Sequence, residues 1–184
     1  MERQEAVKMD TMDTEEMMKV YKKIGTPGAQ HEMLKSLEGS WITKTKAWMS
    51  PDQPPSEGSG TCEQKMLLGG RYLQQEYTGE MGGESFEGIN VIGYDNHAEK
   101  FASVWMDSMS TGIYYFEGKR GKDEKILTQE SSYEDPVRGP MVWRSIMKIV
   151  DRDRIDYEMY LIPRGGMEEK AMEMTMTRKK AANR

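Results

Sequence analysis

Few side chains in this sequence can do acid-base, nucleophilic or metal chemistry. There are two histidines, His31 and His97, and one cysteine, Cys62. His97 lies in Asp95-Asn96-His97-Ala98-Glu99, a turn in which a solvated ring is expected. His31 lies in a short helical stretch, where the readings are a structural hydrogen bond, a helix cap or an acid-base role. No Ser-His-Asp order, phosphate-cradling glycine loop, nucleotide fingerprint or spaced Cys/His set occurs, so neither a metal nor a cofactor is expected. The 18 methionines invite a copper reading, because thioether sulfur suits Cu(I). Met172, Met174 and Met176 alternate along one strand face, but no His or Cys lies near them, and they read as core filling. The candidate bases are carboxylates expected inside, Glu76, Asp107 and Glu173, whose pKa values desolvation would raise. Asp107, Glu76 and His31 are therefore the catalytic candidates. The segment Trp105-Met106-Asp107-Ser108-Met109-Ser110-Thr111 sets a carboxylate and three hydroxyls beside a large ring at a strand end. The same residues would also cap their own turn.

The elements that position these groups are mostly strands. A weak helical pattern in Met17, Met18, Val20, Tyr21 and Ile24 is broken by Gly25-Thr26-Pro27-Gly28. A second helix is predicted from Ala29 to Leu37. After Gly39 the pattern has period two, which predicts strands at about 40 to 49, 59 to 68, 71 to 80, 84 to 94, 100 to 107, 111 to 118, 124 to 132, 141 to 150, 154 to 162 and 170 to 178. The separators hold Gly, Pro, Asn or Asp, as tight reversals require. Connections this short leave no room for crossover helices, so the strands must form an antiparallel meander that curls and closes. The predicted fold is thus all-β, a closed up-and-down barrel of about ten strands with a short N-terminal helical segment over one end.

Alternation also predicts the lumen. Facing inward would be Trp41, Thr43, Thr45 and Ala47, then Tyr72, Gln74 and Glu76, then Phe86, Asn90, Ile92 and Tyr94. Phe101, Ser103, Trp105 and Asp107 follow, then Ile113 and Tyr115, Met141, Trp143, Ser145 and Met147, and Tyr157, Met159 and Leu161. A one-residue slip would invert a whole strand. Aromatic rings mixed with hydroxyls and amides suit a small-molecule cavity better than a solid aliphatic core. The expected ligand-binding set is Trp41, Tyr72, Asn90, Ser103, Trp105, Asp107, Tyr115, Trp143 and Tyr157. Arg71 reads either as part of the Gly69-Gly70 hairpin or as an anchor for a ligand carboxylate, and Gly88 and Gly93 read as bulges or bends.

Net charge is −5, from 26 Lys and Arg against 31 Asp and Glu spread along the chain, which argues against nucleic acid as a partner. Only Arg178-Lys179-Lys180 with Arg184 is locally basic, as in a solvated tail. No run approaches the ~20 apolar residues of a membrane span, and the acidic N-terminus does not resemble a signal peptide. One cysteine suits a reducing compartment, so the cytoplasm is expected.

Gly39-Ser40-Trp41 after a short helix, with Arg178 ending the last strand, resembles the Gly-X-Trp and terminal Arg signature of the calycins, which include lipocalins and fatty-acid-binding proteins. Closure would lay the Arg178 guanidinium across the Trp41 ring, a contact worth ~0.5–2 kcal/mol. His31-Glu32-Met33-Leu34, Leu68-Gly69-Gly70-Arg71-Tyr72-Leu73, Phe86-Glu87-Gly88, Gly93-Tyr94-Asp95 and Trp105-Met106-Asp107-Ser108 resemble a largely bacterial calycin-like family catalogued as domain of unknown function 1579. The resemblance covers about residues 28 to 178. It implies a barrel that binds something small, and it carries over no catalytic residues.

The expected organisation is an extension over 1–27, a barrel over 28–178 and a basic tail over 179–184. The function expected is binding of a small hydrophobic or amphipathic molecule in the barrel. The alternatives are a cofactor-free isomerase, cyclase or hydrolase acting there, or an interaction module whose first 24 residues pair with a partner or a second copy as a homodimer.

Overall fold

The computed structural model describes residues 13–50 and 52–180. Helices α1 (Thr14–Ile24) and α2 (Ala29–Lys35) precede ten strands: β1 (Gly39–Ala47), β2 (Ser56–Leu67), β3 (Tyr72–Met81), β4 (Glu84–Asp95), β5 (Lys100–Asp107), β6 (Tyr114–Arg120), β7 (Ile126–Asp135), β8 (Gly139–Asp151), β9 (Arg154–Pro163) and β10 (Glu169–Arg178). Each strand pairs antiparallel with the next in sequence, and β10 returns to β1, so the sheet is a closed up-and-down barrel with no free edge. The closing ladder runs from Trp41 opposite Arg178 to Ala47 opposite Met172. The first twelve residues and the tail residues 181–184, with Arg184, lie outside the described residues.

One barrel end is plugged. From α2 and the turn after it, Leu34 and Leu37 enter a buried cluster with Trp41, Leu73, Ile92, Phe101, Leu127 and Ile155. The segment is tied down by side chain to backbone bonds. Trp41 Nε1 donates to the Leu37 carbonyl at 3.0 Å, and Glu38 Oε1 accepts from the Met66 amide at 2.8 Å. Arg178 seals the same end, with its guanidinium carbon 4.2 Å from the Trp41 ring centroid, as the signature implies. It donates to the carbonyls of Ser36, Glu38 and Arg152 at 2.9, 2.5 and 2.9 Å.

Of the seven strand phases predicted for the lumen, two are inverted. In β3 the buried residues are Leu73 and Gln75, with Tyr77 following on the same face, so Tyr72, Gln74 and Glu76 point outward. Tyr72 lies on the outer face over Gly93, where a Cβ would come within 2.6 Å of its ring. In β6 the strand begins at Tyr114, not 111, and Phe116 is buried, whereas Ile113 is 71% and Tyr115 51% exposed. Ile113-Tyr114-Tyr115-Phe116 is apolar in both phases, so alternation alone does not decide which ring faces in. The β10 phase, with Met174 and Met176 buried, puts Glu173 on the outer face, within ion-pair distance of Lys46 and Lys170.

Gly88 and Gly93 are not bulges, because the β3–β4 and β4–β5 ladders run unbroken through both. Register shifts occur instead between Ile149 and Asp151 and between Lys170 and Met172. Gly88 makes room for a ring, since a Cβ there would lie 2.8 Å from Trp105 Cζ2. The Gly69-Gly70 hairpin does need left-handed backbone, with φ of 67° and 85°.

Candidate functional site

Above the plug the lumen is arranged in tiers. The floor is the sealed cluster in which Trp41 and Leu73 have no exposed surface. A belt of amides and a hydroxyl follows. Gln64, Gln75, Ser103 and Gln129 each lie three residues from the covered end of their own strand, at Leu67, Tyr72, Lys100 and Ile126. Asn90 Nδ2 donates to Gln75 Oε1 at 2.8 Å, and Gln75 Nε2 donates to Gln64 Oε1 at 3.0 Å. Across the barrel, Gln129 Oε1 accepts from Ser103 Oγ at 3.4 Å and the Gln129 carbonyl accepts from Ser145 Oγ at 3.4 Å. Three N–H groups along these walls are buried with no partner among the described residues: Gln64 Nε2, Gln129 Nε2 and Trp143 Nε1.

The upper tier is aromatic. Trp105 meets Tyr77 edge-on at 5.5 Å and lies parallel to Phe86 at 6.3 Å. On the neighbouring strands the ring wall continues, with Tyr114 paired to Trp105 across β5–β6, and Trp143 stacks on Tyr114 at 4.7 Å and meets Tyr133 at 4.6 Å. These inward-facing rings are only partly buried, and so are Asn90, Tyr157 and Leu161, whereas the floor residues are sealed. Side chains therefore fill the bottom of the barrel and only line the top.

The seam between β6 and β7 is the least laddered of the barrel. Strands β6 and β7 are laddered only between Glu117–Arg120 and Leu127–Glu130. Above that point a cleft is lined by the outward Ile113, Tyr115 and Ser132 together with the inward Tyr114, Ser131 and Tyr133.

Charge is confined to the two ends. Among the described residues, the inward-phase charged side chains are Arg120 and Arg178 at the covered end and Glu84, Asp107, Asp135 and Glu169 at the open end. Arg120 Nη1 donates to Gln30 of α2 at 2.9 Å. Asp107 accepts from Trp105 Nε1 at 2.7 Å and from the Met109 amide at 3.0 Å, so it caps its turn and fixes the indole. Asp135 is held below the usual carboxylate range by the Arg138 and Val137 amides. Burial pushes the Cys62 thiol up to about 12, the Tyr157 phenol up to about 12 and the Tyr77 phenol well above its ordinary value. All three stay neutral near pH 7.

Of the expected ligand-binding residues, Asn90, Ser103, Trp105, Asp107, Trp143 and Tyr157 come together around the lumen, while Trp41 is sealed in the floor. Tyr72 and Tyr115 face outward, and so does the catalytic candidate Glu76, which bonds Gln74 on the outer face. His31 lies under the floor. Its Nδ1 accepts from the Gly28 amide at 3.0 Å, and its ring meets Tyr94 edge-on at 6.1 Å, as a helix cap and packing group. Burial, the main cause, lowers its pKa. Arg71 is no ligand anchor, because its Nη2 and Nη1 donate to the carbonyls of Gly25 and Leu68 at 2.8 and 3.0 Å. His97 lies in a turn whose amides Asp95 Oδ1 caps.

Sequence reasoning missed Gln64, Gln75, Tyr77, Gln129 and Tyr133. A signal was there for two strands. Glu63 and Lys65 flank Gln64, and Glu130 and Glu134 alternate with Gln129 and Tyr133, so the charged phase marks the outer face.

The plugged, ring-lined lumen defines the class as a closed ten-stranded barrel of the calycin type. The chain belongs to the family described as "Protein of unknown function (DUF1579)", whose pattern matches residues 26–178. Among solved structures it is similar to Rv2717c from M. tuberculosis, with a TM-score of 0.61 and 12% identity over 84% of this chain and 100% of that one. It is likewise similar to the S-type phycobiliprotein lyase CPES from Guillardia theta, with a TM-score of 0.60 and 12% identity over 88% and 98% of the two chains. At such identity the likeness is one of fold. No curated protein matches the sequence. Among the described residues no helix is long and apolar enough to cross a membrane, and no group of three or more His, Cys, Asp or Glu is placed to hold a metal ion.

Proposed function

We propose that the protein binds a small, mainly apolar molecule inside the barrel, above the amide belt and against the ring wall that runs from Trp105 to Trp143. The observation that carries this reading is the contrast between a sealed floor and an upper lumen whose inward-facing rings remain accessible. Asn90, Ser103, Trp105, Trp143 and Tyr157, with Tyr77 and Gln129, are the contact residues, and Asp107 orients the Trp105 indole. A buried lumen of this kind gains affinity from apolar area at ~25 cal/mol per Å2 and takes orientation from its few polar groups. Asp107, the catalytic candidate that reaches the lumen, is engaged by the Trp105 indole and the Met109 amide, which favours holding a molecule over transforming it. Native mass spectrometry of the full chain purified from cells, followed by organic extraction, tests the proposal. A retained small molecule is expected. A chain that is ligand-free from cells and also fails to bind a neutral flat hydrocarbon such as pyrene would overturn it.

A further inference from the structure

Resting on that reading, we infer a ligand class: a neutral molecule with hydrogen-bond acceptors on opposite edges, and not a fatty acid or other carboxylate. Gln64 and Gln129 are 4% and 6% exposed, and each has an Nε2 without a partner. A buried unpaired donor costs ~1–3 kcal/mol, a cost removed when an acceptor arrives. The two donors stand on β2 and β7, which are five strands apart in a ring of ten and therefore on opposite walls. Trp143 Nε1 lies near the Tyr133 hydroxyl without hydrogen-bond geometry, and an indole can only donate. It sets the sense of the recognition as donor from the protein and acceptor on the ligand.

Charge placement excludes a carboxylate. Between the two ends of the lumen no inward-facing side chain is charged. Of the two cationic groups at the covered end, Arg178 is held by three backbone carbonyls, and Arg120, which donates to Gln30 and keeps a buried Nε without a partner among the described residues, stands opposite Leu127 at the sealed floor, below the belt. A carboxylate at the belt would be desolvated with no counter-ion, which costs several kcal/mol. At the mouth it would pass the carboxylates of Asp107 and Asp135.

The test uses the full chain and three probes: pyrene, which is flat without acceptors; Nile red, which is flat and neutral with a carbonyl; and oleate. Pyrene and Nile red are expected to bind, read by fluorescence, and equimolar oleate is expected to displace neither. Gln129→Leu and Trp143→Phe should each weaken Nile red about fivefold, the loss of one neutral hydrogen bond, and leave pyrene within about twofold. Trp143→Phe keeps the ring, so a folding failure of Gln129→Leu does not remove the test. If neither dye binds, the lumen reading itself fails. If pyrene binds but both variants leave Nile red unchanged, the acceptor assignment falls. Displacement of Nile red by equimolar oleate would overturn the exclusion of carboxylates.

Discussion

Replacing Arg178 with Met opens the barrel seam at its plugged end. The substitution keeps the length of the stem over Trp41 and removes the guanidinium. Lost with it are the contact with the Trp41 ring, worth ~0.5–2 kcal/mol, and three bonds to carbonyls at this half-wet rim, ~1 kcal/mol each, in all roughly 4 kcal/mol. The three carbonyls belong to the α2–β1 segment and to the β8–β9 turn, so the same side chain joins helix, first strand and last strand. For a domain of this size ~1 kcal/mol corresponds to about 2–4 °C, which predicts a fall in Tm of about 8–16 °C. Arg178→Lys keeps a charge near the ring but lacks the planar fork, and should lose about half as much. Thermal and urea unfolding, followed by far-ultraviolet circular dichroism and tryptophan fluorescence, measure both. An Arg178→Met protein within about 2 °C of the parent would refute the closure argument.

Gly118→Ala should be among the most damaging small substitutions. Its Cβ would lie 2.6 Å from Gln129 Cα and clash with the Thr128 carbonyl in the shortest ladder of the barrel, so a loss of about 3 kcal/mol or more in urea unfolding is expected. Because burial lowers the His31 pKa below its ordinary 6.5, the unfolded chain takes up the proton more readily. Stability is then flat above pH 6.5, where His31 is neutral in both states, and declines as the pH falls from there through the folded-state value. His31→Gln should flatten that part of the urea-midpoint profile, and an unchanged slope would assign it elsewhere. Cys62, fully buried and with its thiol pushed up to about 12, should resist a thiol reagent such as 5,5′-dithiobis(2-nitrobenzoate) at pH 8 in the native state and react at once in denaturant. Fast native labelling would count against its position inside the barrel.

The barrel was legible in the linear pattern because turn chemistry and period two are local. Gly69-Gly70, Asp95-Asn96 and Asp151 to Asp153 each reverse the chain whatever surrounds them, and ten short strands without crossovers have few alternatives to an antiparallel ring. The ends were legible too, since Trp41 and Arg178 can meet only if the first and last strands pair, as they do. Much of the lumen was readable where charges mark the outer face, as in β1 with Lys44 and Lys46.

Facing in β3 and β6 was decided by tertiary structure. Tyr72-Leu73-Gln74-Gln75-Glu76-Tyr77 and Ile113-Tyr114-Tyr115-Phe116 offer two nearly equivalent faces, and the choice came from distant groups. Gly93 accepts the Tyr72 ring on the outside, and Gly88 accepts the Trp105 ring on the inside. The unpartnered amides of Gln64 and Gln129 have the same origin. A glutamine in a strand pattern says only that it is polar, and whether its donor is satisfied depends on which side chains closure brings against it from other strands. Alternation and turns are properties of neighbouring residues and so belong to the sequence, whereas the occupancy of a lumen is a property of the closed ring, which exists only once all ten strands have met.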